Sequence, residues 1–278
     1  MTEDPRPELA GPLTALWLTL LALGLFIVAL IVNISLFPPV TALGLSQVLA
    51  FGSIGYLGAV LHPALEAKEL GLSPLARRFV LPVLLLLPSV FLISELDNWI
   101  RDWMASSAAT GAAPTDHQLP ETKLDLLELW ISQVALAPVV TEWFFRGVIL
   151  ERLRKHFGTR QAIVGSASLF AVATALPGDQ AVDYISGLSG LFLLGLLLGS
   201  LRLSAGSILP GILLSAGMQA VAVLSISFGE TLAIPGFNAG IAEGTHSPAW
   251  LILPSLLCVS VGLLLVRRFR SPDEPEVE

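Results

Sequence analysis

The chain has 278 residues, of which 54% are hydrophobic and 13% charged, and its mean hydropathy is +0.77. A water-soluble domain of this length carries about twice that share of charge, so the composition excludes one. The net charge of −7 offers no basic surface for nucleic acid, and the single cysteine, Cys258, excludes an intrachain disulfide.

The first apolar run, near 12–36, follows an acidic leader, MTEDPRPELAG. It is too long for the core of a signal peptide and reads as a retained first span. Further runs lie near 44–62, 79–95, 128–150, 161–177, 185–202, 206–228 and 249–266. Each suits a hydrocarbon core of roughly 30 Å at a rise of about 1.5 Å per residue, with the fifth run beginning inside its preceding loop. The expected fold is all-α: a polytopic membrane helical bundle of about eight transmembrane helices, forming one domain over 1–278. The acidic tail at 271–278 is expected to be disordered.

Charge placement supports this segmentation. With the N-terminus inside, 12 of the 15 Lys and Arg residues fall in inner segments, Arg101 and Lys123 fall in outer loops, and Arg146 lies within a span. The positive-inside rule then puts both termini in the cytoplasm. The long outer segments, about 96–127 and 229–248, are rich in Gly, Pro, Ala and acids. Neither has the length of a separate domain.

One acidic residue falls deep in a predicted span: Glu142, in APVVTEWFFRGVILERL. Arg146 follows four residues later on the same helix face, the order an ion pair prefers. A lone charge at mid-bilayer costs roughly 2.5–3.5 kcal/mol, so both face the protein interior. The pair reads either as a structural ion pair or as the floor of a polar cavity. The sixth and seventh spans carry small residues at helical spacing: Gly190, Gly195, Gly199, Gly206, Ser207, Gly211, Ser215 and Ala216. Such residues let helices approach closely in lipid.

TEWFFRG, SLFAVAT and LGLLLGSLRLSAGSILPGILLSAGMQ resemble the three motif regions of the CPBP family, the CAAX-prenyl-protease-type intramembrane endopeptidases. The resemblance covers about 128–225. In outline the family reads E-E-x-x-x-R, F-x-x-x-H and H-x-x-x-N. Here the first Glu falls on Thr141, while Glu142 and Arg146 keep the second Glu and the Arg. Phe170 keeps the Phe, Thr174 replaces its His, and Ser215 and Gln219 replace the last His and the Asn. The resemblance implies that these positions activate water and hold an oxyanion. Thr, Thr, Ser and Gln keep polarity there but supply no group that titrates near neutrality.

No substitute base is evident. His62, His117, His156 and His246 all fall at span ends or in loops. An Arg partner makes Glu142 a poorer base, although burial opposes that effect. Ser215 and Thr174 lack an activating base. A rhomboid-type site needs a buried Ser–His pair. LPGD at 176–179 is similar to the aspartyl G-x-G-D motif, but Leu176 replaces its first Gly, and Asp179 and Asp183 suit a solvated turn. There is no phosphate-binding glycine loop and no metal-ligand spacing, so no cofactor or metal is expected.

Depths counted along the spans place Thr141, Thr174, Ser215 and Gln219 at the middle of one bundle. The expected function is therefore that of a pseudoprotease. It would bind a membrane peptide, lipid or partner protein in a polar cavity within a bacterial or archaeal plasma membrane. Two alternatives stand: an active endopeptidase, CAAX-type or bacteriocin-immunity-like, using Glu142 in a rearranged site, and a small transporter gated by Glu142 and Arg146.

Overall fold

The structure, a computed structural model, describes residues 10–61, 65–105, 123–175, 181–228, 231, 233–239 and 246–269. His62, His117, Leu176, Asp179 and the tail 271–278 lie outside the described residues.

The first helix, α1 (Ala10–Ile34), is apolar on every side. Ala15, Leu18, Ala22, Phe26 and Ala29 are buried, at the three- and four-residue spacing of one helix face. Trp17, Leu20, Leu21, Val28 and Ile31 point outward. Small alanines on the inner face bring α1 against its neighbours, and the bulky outer face suits hydrocarbon. A second helix, α2, spans 39–60. It begins at Pro39, where the missing N–H is harmless, and passes through a π-helical turn at Val48–Gly52.

The third predicted span is two helices, α3 (Val80–Leu86) and α4 (Ser89–Ala105). Pro88 parts them, because it has no N–H to carry the ladder across. The sequence expectation ended this span at 95, yet α4 runs on to Ala105. Its last turns are polar on one side: Arg101 pairs with Asp97 at 2.9 Å and with Asp183 at 2.5 Å. Arg101 is thus a helical residue and not part of a loop.

The long helix α5 runs unbroken over 123–157, with π-helical turns at Trp130–Leu136 and Trp143–Ile149. Four helices follow: α6 (Thr159–Thr174), α7 (Ala181–Ala205), α8 (Leu209–Ser227) and α9 (Ala249–Arg268). No strand forms among the described residues. The segments Leu72 and Ser207 meet in an isolated antiparallel bridge.

The chain is therefore a polytopic helical bundle, as expected. Among the described residues, six helical stretches are long and apolar enough to cross a membrane, including α1, α5, α7 and α9. The α8 segment Leu209–Ser225 is a shorter apolar helix. With 16 residues, α6 reaches only about 24 Å at about 1.5 Å per residue. It lies along α7 and against the end of α5.

Two apolar cores hold the bundle. One joins α1, α2, α5 and α6 through Ala15, Leu18, Phe51, Phe144, Phe145 and Phe170, the aromatic rings meeting at 4.8–5.5 Å. The other joins α3, α7, α8 and α9 through Leu86, Leu198, Leu201, Leu214 and Val266, with Phe79 just before α3.

At one end of the bundle, several basic residues work as structural ties. Arg152, buried at the end of α5, donates to the carbonyls of Gly58 (2.6 Å) and Leu61 (3.2 Å), closing the C-terminus of α2. Arg202, also buried, donates to the Glu69 carbonyl at 2.8 Å. Beside it, Ser207 donates to Ser73 O at 2.6 Å and Ile208 N to Gly71 O at 2.9 Å. Gly71, at φ +74°, takes a turn that a side chain would strain and lies under the Arg202 guanidinium. Lys155 completes the tie on Glu69 at 2.6 Å, and with it holds the Glu69 carboxyl below the usual carboxylate range.

Candidate functional site

The site is built on the middle of α5. Pro138 sits in the first turn of the stretch Ala137–Glu142, just after the wider π turn Trp130–Leu136. Glu142 ends that stretch and Arg146 lies in the second π turn. Turns of this kind are uncommon and tend to occur at functional sites.

Glu142 and Arg146 are both buried, and Arg146 Nη1 stands 3.1 Å from Glu142 Oε1. Neither carboxylate oxygen accepts a well-directed hydrogen bond among the described residues, so charge and not hydrogen-bond geometry holds the pair. The guanidinium lies over the Phe170 ring at 4.2 Å and over Phe145 at 6.0 Å. Its Nη2 donates to the Gly195 carbonyl at 3.4 Å. Arg146 therefore ties α5 to α6 and α7 at one point, with a cation–π contact favoured in a desolvated setting.

On its other side Glu142 meets α8. A Cβ built on Gly211 would stand 2.5 Å from Glu142 Oε2. Gly211 thus supplies the space in which the carboxylate sits. Gly195 plays a comparable part between α6 and α7, where an added Cβ would stand 2.8 Å from the Ala167 side chain. The small-residue pattern marked both glycines for helix contact. Their service to the ion pair is a tertiary relation that no local pattern carries.

The other motif positions surround this pair unequally. The Thr141 hydroxyl donates to Ala137 O at 2.7 Å, and the Thr174 hydroxyl to Phe170 O at 2.7 Å. Both are spent on their own helices. Ser215 and Gln219, half-buried, follow Gly211 by one and two turns of α8 and make no side-chain hydrogen bond among the described residues. The structure joins Glu142, Arg146 and Phe170 directly. It links Thr141, Thr174, Ser215 and Gln219 to that group only through their helices.

No imidazole adjoins the pair among the described residues. His156, at the end of α5, is ten residues from Arg146, or about 15 Å. His246 is held far along the chain by Glu95 at 2.8 Å and Asp102 at 3.0 Å. Nor does any group of three His, Cys, Asp or Glu residues suited to a metal occur among the described residues. Chemically, the arrangement offers one paired carboxylate, one guanidinium and four uncharged polar side chains.

These same elements decide the comparison with known proteins. Residues 123–221, from the start of α5 into α8, match the family model described as Type II CAAX prenyl endopeptidase Rce1-like. The segment is Rce1-like. Its Rce1-like stretch coincides with the region whose motifs resemble the CPBP family. No curated protein and no solved structure matches the chain.

Proposed function

We propose that the chain is a membrane pseudoprotease, using its Rce1-like segment to bind a membrane peptide, lipid or partner protein without cleaving it. The observation that carries this reading is the fate of the catalytic positions. The hydroxyls of Thr141 and Thr174 donate to their own helix carbonyls, and the one deep carboxylate faces Arg146. Hydrolysis also needs partners that orient the water and hold the oxyanion, and no imidazole adjoins Glu142 among the described residues. Polar replacements at four deep positions favour a polar surface kept for binding. The charge distribution supports an orientation with both termini cytoplasmic, and the proposed setting is a bacterial or archaeal plasma membrane.

The test is cleavage of membrane-embedded and CAAX-like peptides by the purified protein, with Glu142→Gln as control. The expected result is no cleavage by a well-folded sample. Cleavage that disappears in the control would replace this reading with an endopeptidase rebuilt around Glu142. Transporter function is favoured by no observation beyond the ion pair itself.

A further inference from the structure

The start of α3 and the end of α9 meet at the end of the bundle that the Arg202 and Ser207 ties close. Their pairing can be followed along both helices. A Cβ on Gly262 would stand 3.1 Å from the Leu86 side chain, Val266 shares a core with Val83 and Phe79, and the Phe79 and Phe269 rings stand 6.3 Å apart. This register sets the short turn Arg77–Phe79 beside the last turn of α9, which holds Arg267 and Arg268. Four arginines from two distant parts of the chain therefore flank one pair of aromatic rings.

All four are exposed. Arg78 lies over the Phe79 ring at 5.5 Å, whereas Arg77, Arg267 and Arg268 have no side-chain partner among the described residues. Neither the stretch from Arg77 through α3 nor α9 contains an acid. Arg267 and Arg268 suit the carbonyl end of their helix, but Arg77 and Arg78 stand at the start of one, where the helix dipole disfavours a cation. The orientation of the spans accounts for basic residues at this end. It does not account for their unpaired gathering at one seam. Directly beyond them the surface turns apolar: Leu81 and Leu84 on α3 are each 56% exposed, and Leu264 on α9 is 66% exposed.

We propose that the seam between α3 and α9 is a binding site for an anionic phospholipid. Arg267 and Arg268 hold the phosphate from one wall and Arg77 from the other, and the acyl chains lie along Leu81, Leu84 and Leu264. A guanidinium offers paired N–H donors that match phosphate oxygens, and basic side chains at a membrane surface draw acidic lipid to them. The proposal does not depend on whether the protein cleaves peptides.

Native mass spectrometry of the full-length protein, released from mixed phosphatidylglycerol and phosphatidylcholine micelles, reads retained lipid directly. We expect phosphatidylglycerol to be retained about tenfold over phosphatidylcholine, the discrimination that two or three basic side chains at one phosphate supply. Replacing both Arg267→Gln and Arg268→Gln should cut the preference to about twofold, and Arg77→Gln alone should lower it partway. Lys68→Gln, which removes a cation from the preceding loop, should leave it unchanged. A preference that survives the arginine changes, or one that Lys68→Gln reduces as much as they do, would overturn the proposal in favour of general surface charge. Equal retention of the two lipids by the unaltered protein would overturn it too, and would leave the acidic sequence 271–278 as the counter-charge for these arginines.

Discussion

At the scale of single residues, Arg146 is the most heavily committed side chain of the deep site. It faces Glu142, covers Phe170 and reaches the Gly195 carbonyl. Removing one partner of a buried ion pair leaves the other charge unpaired, at a cost of about 3–5 kcal/mol. Arg146→Ala should therefore lower thermal stability in detergent far more than Ser215→Ala, which removes a half-buried hydroxyl. Equal melting temperatures for the two variants would contradict the ion-pair description. The pair itself was legible in the sequence, because two opposite charges four residues apart in an apolar run have few other places to go. Its surroundings were not. The seat of the arginine on Phe170 joins residues 24 positions apart, and only packing brings them together.

At the scale of helices, the approach of α8 to α5 rests on Gly211. An alanine there would press on the Glu142 carboxylate, and overpacking of this kind costs about 1–3 kcal/mol. Gly211→Ala should thus be destabilising on its own. Combined with Glu142→Ala, it should cost less than the sum of the two changes, since the group it strikes is gone; additive losses in a double-mutant cycle would place the strain elsewhere. Most helices could be read from hydrophobic runs, because α1, α5, α7 and α9 are apolar over lengths that only a membrane demands. The misreadings came where a second rule intervened. Pro88 divides the third span, and the amphipathic end of α4 continues to Ala105 by turning its charges towards Asp183 and towards the segment around His246. The π turns of α5 left no local signal, because they depend on how the helix is packed.

At the scale of the molecule, the end of the bundle opposite the Arg202 ties is fastened by His246. Its ring meets Asp102 and Glu95 through its two nitrogens, and Trp99 lies 5.0 Å away. The same segment is secured by Ser247 N on Glu95 and by Asn98 on the Gly236 carbonyl. Asp102 and then Glu95 raise the affinity of His246 for its proton above that of a free histidine. A group held this way adds stability below its unfolded pKa of about 6.5 and loses it as pH rises through the folded value. Thermal stability should therefore fall as pH is raised from 6 towards 9, and His246→Gln should flatten that slope. An unchanged slope in the variant would remove His246 from the account.

The ties at the other end carry a consequence for how the molecule is made. Glu69 and Ser73 await Arg202 and Ser207, which lie 133 and 134 residues further along the chain. A ribosome adds roughly 5–20 residues per second, so the loop waits about 7–27 s for its partners. During that interval α1 and α2 are already synthesised, while the loop after them has Lys155 to meet once α5 is made and lacks its Arg202 and Ser207 contacts. This end of the bundle thus closes only after most of the chain is made, and the end fastened by His246 closes later still. A nascent chain stalled before Ser207 would hold its early helices and still be open underneath.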